Sequence, residues 1–571
     1  MDALNLKQIM TSSQFLKSSK WVLILTIVST VLLFSTWSWL GFALPKALAL
    51  SLGLSVFFGL VVMKGGRLEL NRSVFLVLSY FLLLTIATIF SPAPFSSLVG
   101  TSSAMQGWMI QMLSLAIFVA ALTMGGDLWK SRVWLYLMAI VSGYALIQWL
   151  GLDPLRGLWI EEMFLFRSFS TLANPNWLAS FLVLGTPLIW LNSKGKERGM
   201  WLSLIVLALA TTGSKAGFIG MGLLLLMLTG SWWAAAAILL LGGLSLLMIF
   251  PSTASLLRSM SARQEMWMTS FDVISAWPWG HGLDLYSYVS SPFATPALWE
   301  FESLSSLATS PHNILLEWLV EFGFVGLILI LTVFASILWP MRSSPLVKGI
   351  FAYMVTLLFG FEVLTTGIFM WAMMGTVVSQ QKVWQGSVPR RPVMMTLLIL
   401  CLLNLAWLGW RSVGHWHYEQ ASEALSQNDL ESSAHHFQRA IQIYPYDRVV
   451  LLEASEFFLA LETDEFHPLV ENYLLKCEDM DPECPILEAW LAAEQGDLEL
   501  TNQKIREAFS MNPASIRTYY FALLAYEALG DAGAYEALKQ ELLGDLPENY
   551  DDEETETGRI FLKNYLWVFD L

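Results

Sequence analysis

The sequence predicts an all-α protein in two physically different parts. A polytopic helical membrane domain with about 12–13 transmembrane helices occupies residues 1–410, and a soluble α-solenoid occupies residues 411–571. Three observations carry this reading. Hydrophobic residues make up 55% of the chain, charged residues only 14%, and mean hydropathy is +0.55, outside the range of ordinary soluble domains. The charge is also unevenly placed: of 47 acidic and 32 basic side chains, 32 acidic and 10 basic follow Trp410, a net of −22 there against +7 before it. The overall −15 therefore describes neither part, and no nucleic-acid partner is expected. Beyond Trp410, finally, hydropathy falls and apolar residues recur at helical spacing.

A helix crossing the hydrocarbon core needs about 20 apolar residues. Candidate spans start near Trp21, Leu44, Val74, Trp108, Val133, Trp177, Trp201, Gly217, Trp232, Asn313, Leu346, Val363 and Val393. The polar first twenty residues and the lack of a small-residue cleavage site make the first span a retained one. Residues 346–378 read either as one long tilted helix or as two short ones broken at Gly360. Positive-inside counting decides for two. Lys7, Lys17 and Lys20, then Lys64, Arg67 and Arg72, then Lys130 and Arg132, then Lys194, Lys196 and Arg198, then Arg342 and Lys348, and last Lys382, Arg390 and Arg391, all fall on the cytoplasmic side of a thirteen-span chain. The expected home is the bacterial inner (cytoplasmic) membrane, with the C-terminal domain outside.

The same count places three loops outside, roughly 91–106, 151–176 and 251–312. The last begins with residues of amphipathic helical spacing and carries Trp267 and Trp277, as a helix lying in the membrane interface would. After Trp410, Ala440-x4-Pro445, Cys477-x4-Pro482 and Ala508-x4-Pro513 recur at spacings that bracket the 34-residue tetratricopeptide period, so the solenoid is tetratricopeptide-like. Residues 547–557 form a solvated acidic run. Three cysteines without a CxxC pattern read first as unpaired or buried thiols. A Cys477–Cys484 bridge is open to the chain only if this domain lies outside.

Candidate chemistry lies in the external loops. His281 and His312 are the two histidines before residue 411, and histidine suits proton transfer near neutral pH. Arg167, Lys215, Arg258 and Arg263 share that side, where ionisable groups at a membrane boundary are functional candidates, although a lone lysine at a helix end also simply snorkels. Cations beside a base, without a carboxylate cluster suited to a divalent metal, fit an anionic, phosphate-bearing, lipid-linked substrate, a metal-independent reaction and no cofactor. Walker A, GxSxG and HExxH motifs are missing, and the routes that need them lose support.

The segment HNILLEWLVEFGFVG from His312 to Gly326 resembles the signature of the O-antigen ligase and Wzy-type polymerase superfamily. STLANPNWLASFL, TTGSKAGFIGM and RQEMWMTSFDVISAWPWGHGLDLY resemble its Asn-Pro-Asn, Ser-Arg and Arg-x3-Trp segments in the expected order, so the likeness covers roughly residues 100–378. The resemblance implies transfer of a glycan from an undecaprenyl-diphosphate carrier to an acceptor hydroxyl on the external face, with inversion and without metal, in cell-surface polysaccharide assembly. It makes His312 the base and Arg263 a diphosphate ligand. Lys215 stands where the family usually has arginine, a point charge in place of a bidentate fork. Arg167, Asn174, Asn176, His281 and Glu317 are candidate substrate-binding residues. Against these stand plainer readings: Asn174 and Asn176 as helix caps, Gly323 and Gly326 as packing positions, and Glu317 and Glu321 as residues that position His312 or Arg263 or face the lumen.

The acceptor class stays open among glycan, lipid and protein. The implied partners are the lipid-linked donor, the acceptor, the bilayer and a protein at the tetratricopeptide-like repeats. The rival readings are a protein O-oligosaccharyltransferase of the same superfamily and a bicarbonate or solute transporter-like relative. Transport predicts mid-span charges and an internal repeat, whereas the spans here are nearly free of charge apart from Glu362.

Overall fold

The computed structural model describes residues 12–35, 41–101, 105–156, 167–249, 253–300, 308–382, 386–461, 463–477 and 480–546. Lys7, residues 102–104, 157–166, 250–252 and 301–307 of the three external loops, the side chain of Arg258 and the acidic run 547–557 lie outside the described residues.

Each of the thirteen predicted apolar segments lies on a helix: Ser12–Leu32, Leu44–Val62, Arg72–Ile89, Trp108–Met124, Val133–Trp149, Pro175–Asn192, Gly195–Thr212, Lys215–Thr229, Trp232–Ile249, Ile314–Leu338, Pro345–Leu357, Leu364–Ser379 and Arg390–Ser426. Among the described residues, five helices are long and apolar enough to cross a bilayer, and five further apolar helices are shorter. Residues 346–378 are two helices, parted by a loop that carries Phe361 and Glu362. The second of them is the axis of the bundle. Thr365 through Val378 are all buried, as expected of a helix that is apolar on every side. Trp371 stacks on Tyr80 at 5.5 Å, and Gly375 lets the backbone of Phe118 approach so closely that a Cβ would overlap its carbonyl, the small-residue packing of membrane helices.

Contacts sort the loops into two ends. At one, Arg67–Leu70 pairs antiparallel with Gly386–Pro389, Arg67 opposite Pro389. There Arg132 meets Glu197, and Lys348 donates to the Met227 carbonyl at 2.6 Å. At the other, Thr171 donates to the Val31 carbonyl at 2.9 Å, Arg167 to that of Thr212 at 2.8 Å, and Phe95 packs on Tyr446 at 4.7 Å.

The helix Arg390–Ser426 runs 37 residues, about 55 Å, and passes through Arg411 without a break. There Arg411 and His415 both bind the Asp447 carboxylate, at 3.1 and 2.8 Å, with all three side chains buried. Helices Leu430–Ile443, Arg448–Leu459, His467–Leu474, Cys484–Glu494, Leu498–Met511, Ile516–Ala528 and Ala532–Asp545 follow, each in contact with the next. Three of their turns share one cap. Asp429, Asp497 and Asp531 each accept from a backbone N–H three residues on, at 3.0–3.1 Å, after a left-handed Asn428, Gly496 or Gly530. Asp497 and Asp531 are 34 residues apart and Asp429 and Asp497 twice that, a tighter periodicity than the alanine–proline spacing gives.

The expectation of unpaired thiols is corrected here: Cys477 and Cys484 form a disulfide, and Cys401 alone is free and buried. Between the bridged cysteines, Asp481 and Glu483 hold Arg448 at 2.5–3.0 Å, and its guanidinium lies over the ring of Tyr288 in the third external loop. Trp299 of that loop is 2% exposed. It enters a cluster with Ile516, Tyr519, Leu523, Leu542 and Leu546 and donates to the Ala514 carbonyl at 3.0 Å. The C-terminal helices are thus packed onto the long loop.

Candidate active site

Four separate segments converge at the loop end. The first supplies His312. Its backbone is left-handed, φ 50°, an uncommon state for a residue with a Cβ. Its N–H donates to Ser310 Oγ at 3.1 Å. The next residue, Asn313, caps the helix Ile314–Leu338 by accepting from Leu315 N and Leu316 N. The imidazole meets Phe361 edge-on at 5.1 Å, and Phe361 in turn meets Trp177.

The second is the helix Thr253–Ala276. Trp267 donates from its indole to the Pro311 carbonyl at 2.9 Å, which docks this helix beside His312. Arg263 lies one turn earlier on the same helix, close enough for its charge to act on His312, Arg167 and Lys215. Burial, reinforced by that charge, pushes His312 down to about 4. Burial and then Arg263 likewise push Arg167 down to about 10.

The third and fourth segments hold Arg167 and Lys215. Arg167 Nε donates to the Thr212 carbonyl and Nη2 to Asn176 Oδ1 at 3.2 Å. Asn176 therefore orients Arg167, while Asn174 caps its helix by accepting from Asn176 N at 2.8 Å. Gly213, left-handed at φ 58°, ends the preceding helix, and Lys215 is the first residue of the next. The cations and His312 thus share one region, framed by helix ends.

The two glycine motifs turn out to be a clamp. Helix Ile314–Leu338 breaks at Gly323, φ 64° and ψ −172°. The break exposes the Val320 and Glu321 carbonyls, which accept from His281 N at 2.9 Å and Gly282 N at 3.0 Å. A Cβ on Gly323 or on Gly280 would overlap the opposing backbone. Gly323 is thus a break in the helix, beyond the packing role that spacing gives it. His281 sits against this break, its Nδ1 3.4 Å from the Val320 carbonyl and its ring near Trp277, and burial lowers its pKa. Its described contacts are with the clamp and not with the cations.

Asp284, two residues past Gly282, anchors the first external loop. Its Oδ2 accepts from Thr101 N at 2.7 Å, Thr101 Oγ1 at 3.1 Å and Gln106 N at 3.0 Å. Its own N–H donates to Glu321 Oε1 at 3.0 Å. Burial pushes its carboxyl up to about 6 against these hydrogen bonds, and burial pushes Glu362 up to about 7. Glu317 is within electrostatic reach of Glu321, Asp284 and Glu362, and its Oε2 is buried without a partner among the described residues. Sequence reading missed Asp284, Ser310 and Phe361. An acidic residue just after Gly-x-Gly in an external loop was a usable signal for the first, while nothing in sequence points to the others.

Of the six non-glycine residues with left-handed backbone among the described residues, Met105, Ser170, Ala173, Asp284 and His312 lie in these loops. Such strain gathers where surrounding structure holds a functional geometry.

Comparison with known families matches residues 199–331 to the family described as O-Antigen ligase. The match takes in Lys215, Arg263, His281, His312 and Glu317, and stops short of Arg167, Asn174 and Asn176. Among curated proteins none matches the chain. The match spans 133 of the 571 residues and supports, in general terms, a membrane glycan ligase or polymerase with a lipid-linked glycan and an acceptor as partners.

Proposed function

From the O-antigen ligase domain at residues 199–331, we propose that the protein transfers a glycan from undecaprenyl diphosphate to an acceptor hydroxyl at the external face of the cytoplasmic membrane. The observation that carries this reading is the convergence of His312, Arg263, Lys215 and Arg167 from four segments. An imidazole held neutral by burial accepts the proton of the acceptor hydroxyl. The hydroxyl oxygen forms the new bond at the anomeric carbon from the side opposite the leaving group, so the centre inverts. The bond from anomeric carbon to phosphate oxygen breaks, and the electron pair leaves with the diphosphate. Arg263, Lys215 and Arg167 offset the charge that develops there, work that a metal ion performs elsewhere. Asn176 aims Arg167, Trp267 and Phe361 frame His312, and Glu317 with its bare oxygen is suited to a sugar hydroxyl.

External placement is supported by the Cys477–Cys484 bridge, since disulfides persist in oxidising compartments. Docking of the C-terminal helices on the long loop favours a role for the tetratricopeptide-like repeats near the acceptor. The test is glycan transfer in native membranes with His312→Ala, Arg263→Ala and Lys215→Ala. Each is expected to lose at least about 100-fold, and wild-type transfer by His312→Ala would remove the base assignment. Lys215→Arg is expected to retain or raise transfer, because a fork replaces a point charge.

A further inference from the structure

Cys477 and Cys484 close a short loop, seven residues apart, and this loop packs on the reactive end of the bundle. Its Met480 lies against an apolar cluster that includes Tyr288, Val273, Ile274, Leu316 and Val320. Val273 and Ile274 belong to the helix that carries Arg263, and Leu316 and Val320 to the helix that His312 precedes. One thioether from the C-terminal part thus meets the cluster that joins both helices, a task suited to a flexible, unbranched side chain. Beside it Asp481 and Glu483, 2% and 9% exposed, grip Arg448. Its Nε donates to Asp481 Oδ2 at 2.5 Å, and its Nη2 to Asp481 Oδ1 at 2.9 Å and to Glu483 Oε2 at 3.0 Å. A two-pronged carboxylate contact fixes the plane of a guanidinium, and this one is held 5.6 Å from the centre of the Tyr288 ring. Two residues before Tyr288, the hydroxyl of Tyr286 donates to the Met266 carbonyl at 2.9 Å, one turn past Arg263 on the same helix. The bridge supports this grip, because closing so short a loop limits the positions open to Met480, Asp481 and Glu483.

We propose that Met480 and Arg448, presented by the oxidised Cys477–Cys484 loop, are positioning residues for the reaction at His312, holding the helix of Arg263 against the helix that follows His312. Both act through Tyr288 and the apolar cluster, and not on substrate. The proposal rests on the transfer reading above. Because a misplacement of about 1 Å between reacting groups costs up to about 100-fold, loosening at this junction is felt in the rate. Reduction by an external dithiol breaks the S–S bond and delivers two electrons and two protons to the sulfurs, leaving two thiols here and a disulfide in the dithiol. The site is therefore complete only after this pair of thiols has been oxidised.

The test uses the full-length chain, oxidised or treated with dithiothreitol, beside Cys477→Ser/Cys484→Ser, Met480→Ala and Arg448→Met, each assayed in membranes at temperatures where it stays folded. In the variants kcat is expected to fall about 10- to 100-fold with KM for donor and acceptor within about twofold. The acid limb of kcat/KM should also move up, as Arg263 bears less strongly on His312. Dithiothreitol should lower kcat of the wild type and leave that of the double serine variant unchanged. Wild-type kcat in both Met480→Ala and Arg448→Met, or a loss of rate only in step with loss of folded protein, would overturn the positioning role. An equal response of the double serine variant to dithiothreitol would overturn the part given to the bridge. Hydrogen exchange in detergent reads the same claim without any transfer: backbone amides of residues 253–276 and 314–320 should exchange at least about fivefold faster after reduction, and unchanged exchange there overturns the proposal. A chain that loosens in this way and yet transfers no glycan fails the transfer reading alone.

Discussion

The indole N–H of Trp267 donates to the carbonyl of Pro311 at 2.9 Å, so the helix that carries Arg263 is fastened to the residue next to His312. The Arg-x3-Trp spacing is explained by this bond: the arginine and its fastener sit one turn apart on a single face. Trp267→Phe keeps the ring and removes the donor. A misplacement of about 1 Å between reacting groups costs up to about 100-fold, so transfer is expected to fall about 10- to 100-fold with near-normal expression and little change in donor KM. Steady-state transfer rates in membranes check it.

The pH dependence follows from the His312 environment. Burial and Arg263 hold the imidazole at about 4 in the free protein, below its unfolded value of about 6.5. The acid limb of kcat/KM is therefore expected near pH 4, and it should move up in Arg263→Gln, where burial alone acts. For stability, a histidine with a lowered folded pKa takes up its proton more readily when unfolded. Its contribution opposes folding as pH falls from about 6.5 toward 4, and His312→Phe should flatten that part of the stability profile. Rate and melting profiles over pH 3.5–8 measure both.

Gly323→Ala places a methyl against Pro278 O and the Trp279 backbone, at a residue whose φ is 64°. Strain of this kind costs about 1–3 kcal/mol before the overlap is counted. A lower melting temperature and loss of transfer are expected together, because the same break seats His281, Gly282 and, through them, Asp284. Thermal unfolding in detergent alongside the transfer assay is the measurement.

Asp447→Asn removes the carboxylate shared by buried Arg411 and His415. Leaving a buried cation without its partner costs about 3–5 kcal/mol. Denaturant unfolding of the C-terminal helices should show a loss of that size, whereas the exposed Lys130–Asp127 pair should be dispensable.

Thiol labelling tests the external placement. In intact cells Cys477 and Cys484 should resist maleimide until a reductant is added, and Cys401, buried in the bundle, should resist throughout. A bridge closing so short a loop is worth about 2–3 kcal/mol, so the reduced protein should also melt lower in its C-terminal helices. Labelling of both cysteines before reduction would refute the placement.

The bundle was legible in sequence because hydropathy and length alone mark apolar helices, and the split of 346–378 at Gly360 followed from charge counting. The motif residues were legible as types, and their partnerships were not. Asn176 reads as a cap from sequence but holds Arg167, because only the fold brings a residue nine positions away back onto the helix end. Gly323 reads as a packing position because a helix break forced by backbone contact from Pro278 and Trp279 has no local signature. The disulfide was left open since pairing depends on distance, and Phe361 was invisible because a phenylalanine among apolar residues carries no signal of its own.

Trp299 carries a consequence for how the protein is made. Its neighbours Ile516, Tyr519, Leu523, Leu542 and Leu546 leave the ribosome some 217–247 residues later. At about 5–20 residues per second, the loop waits on the order of 10–50 s for the core that anchors it. A nascent chain already threaded through the membrane thus has its bundle before its site, and helices made long after the reactive loop are the ones that fix it.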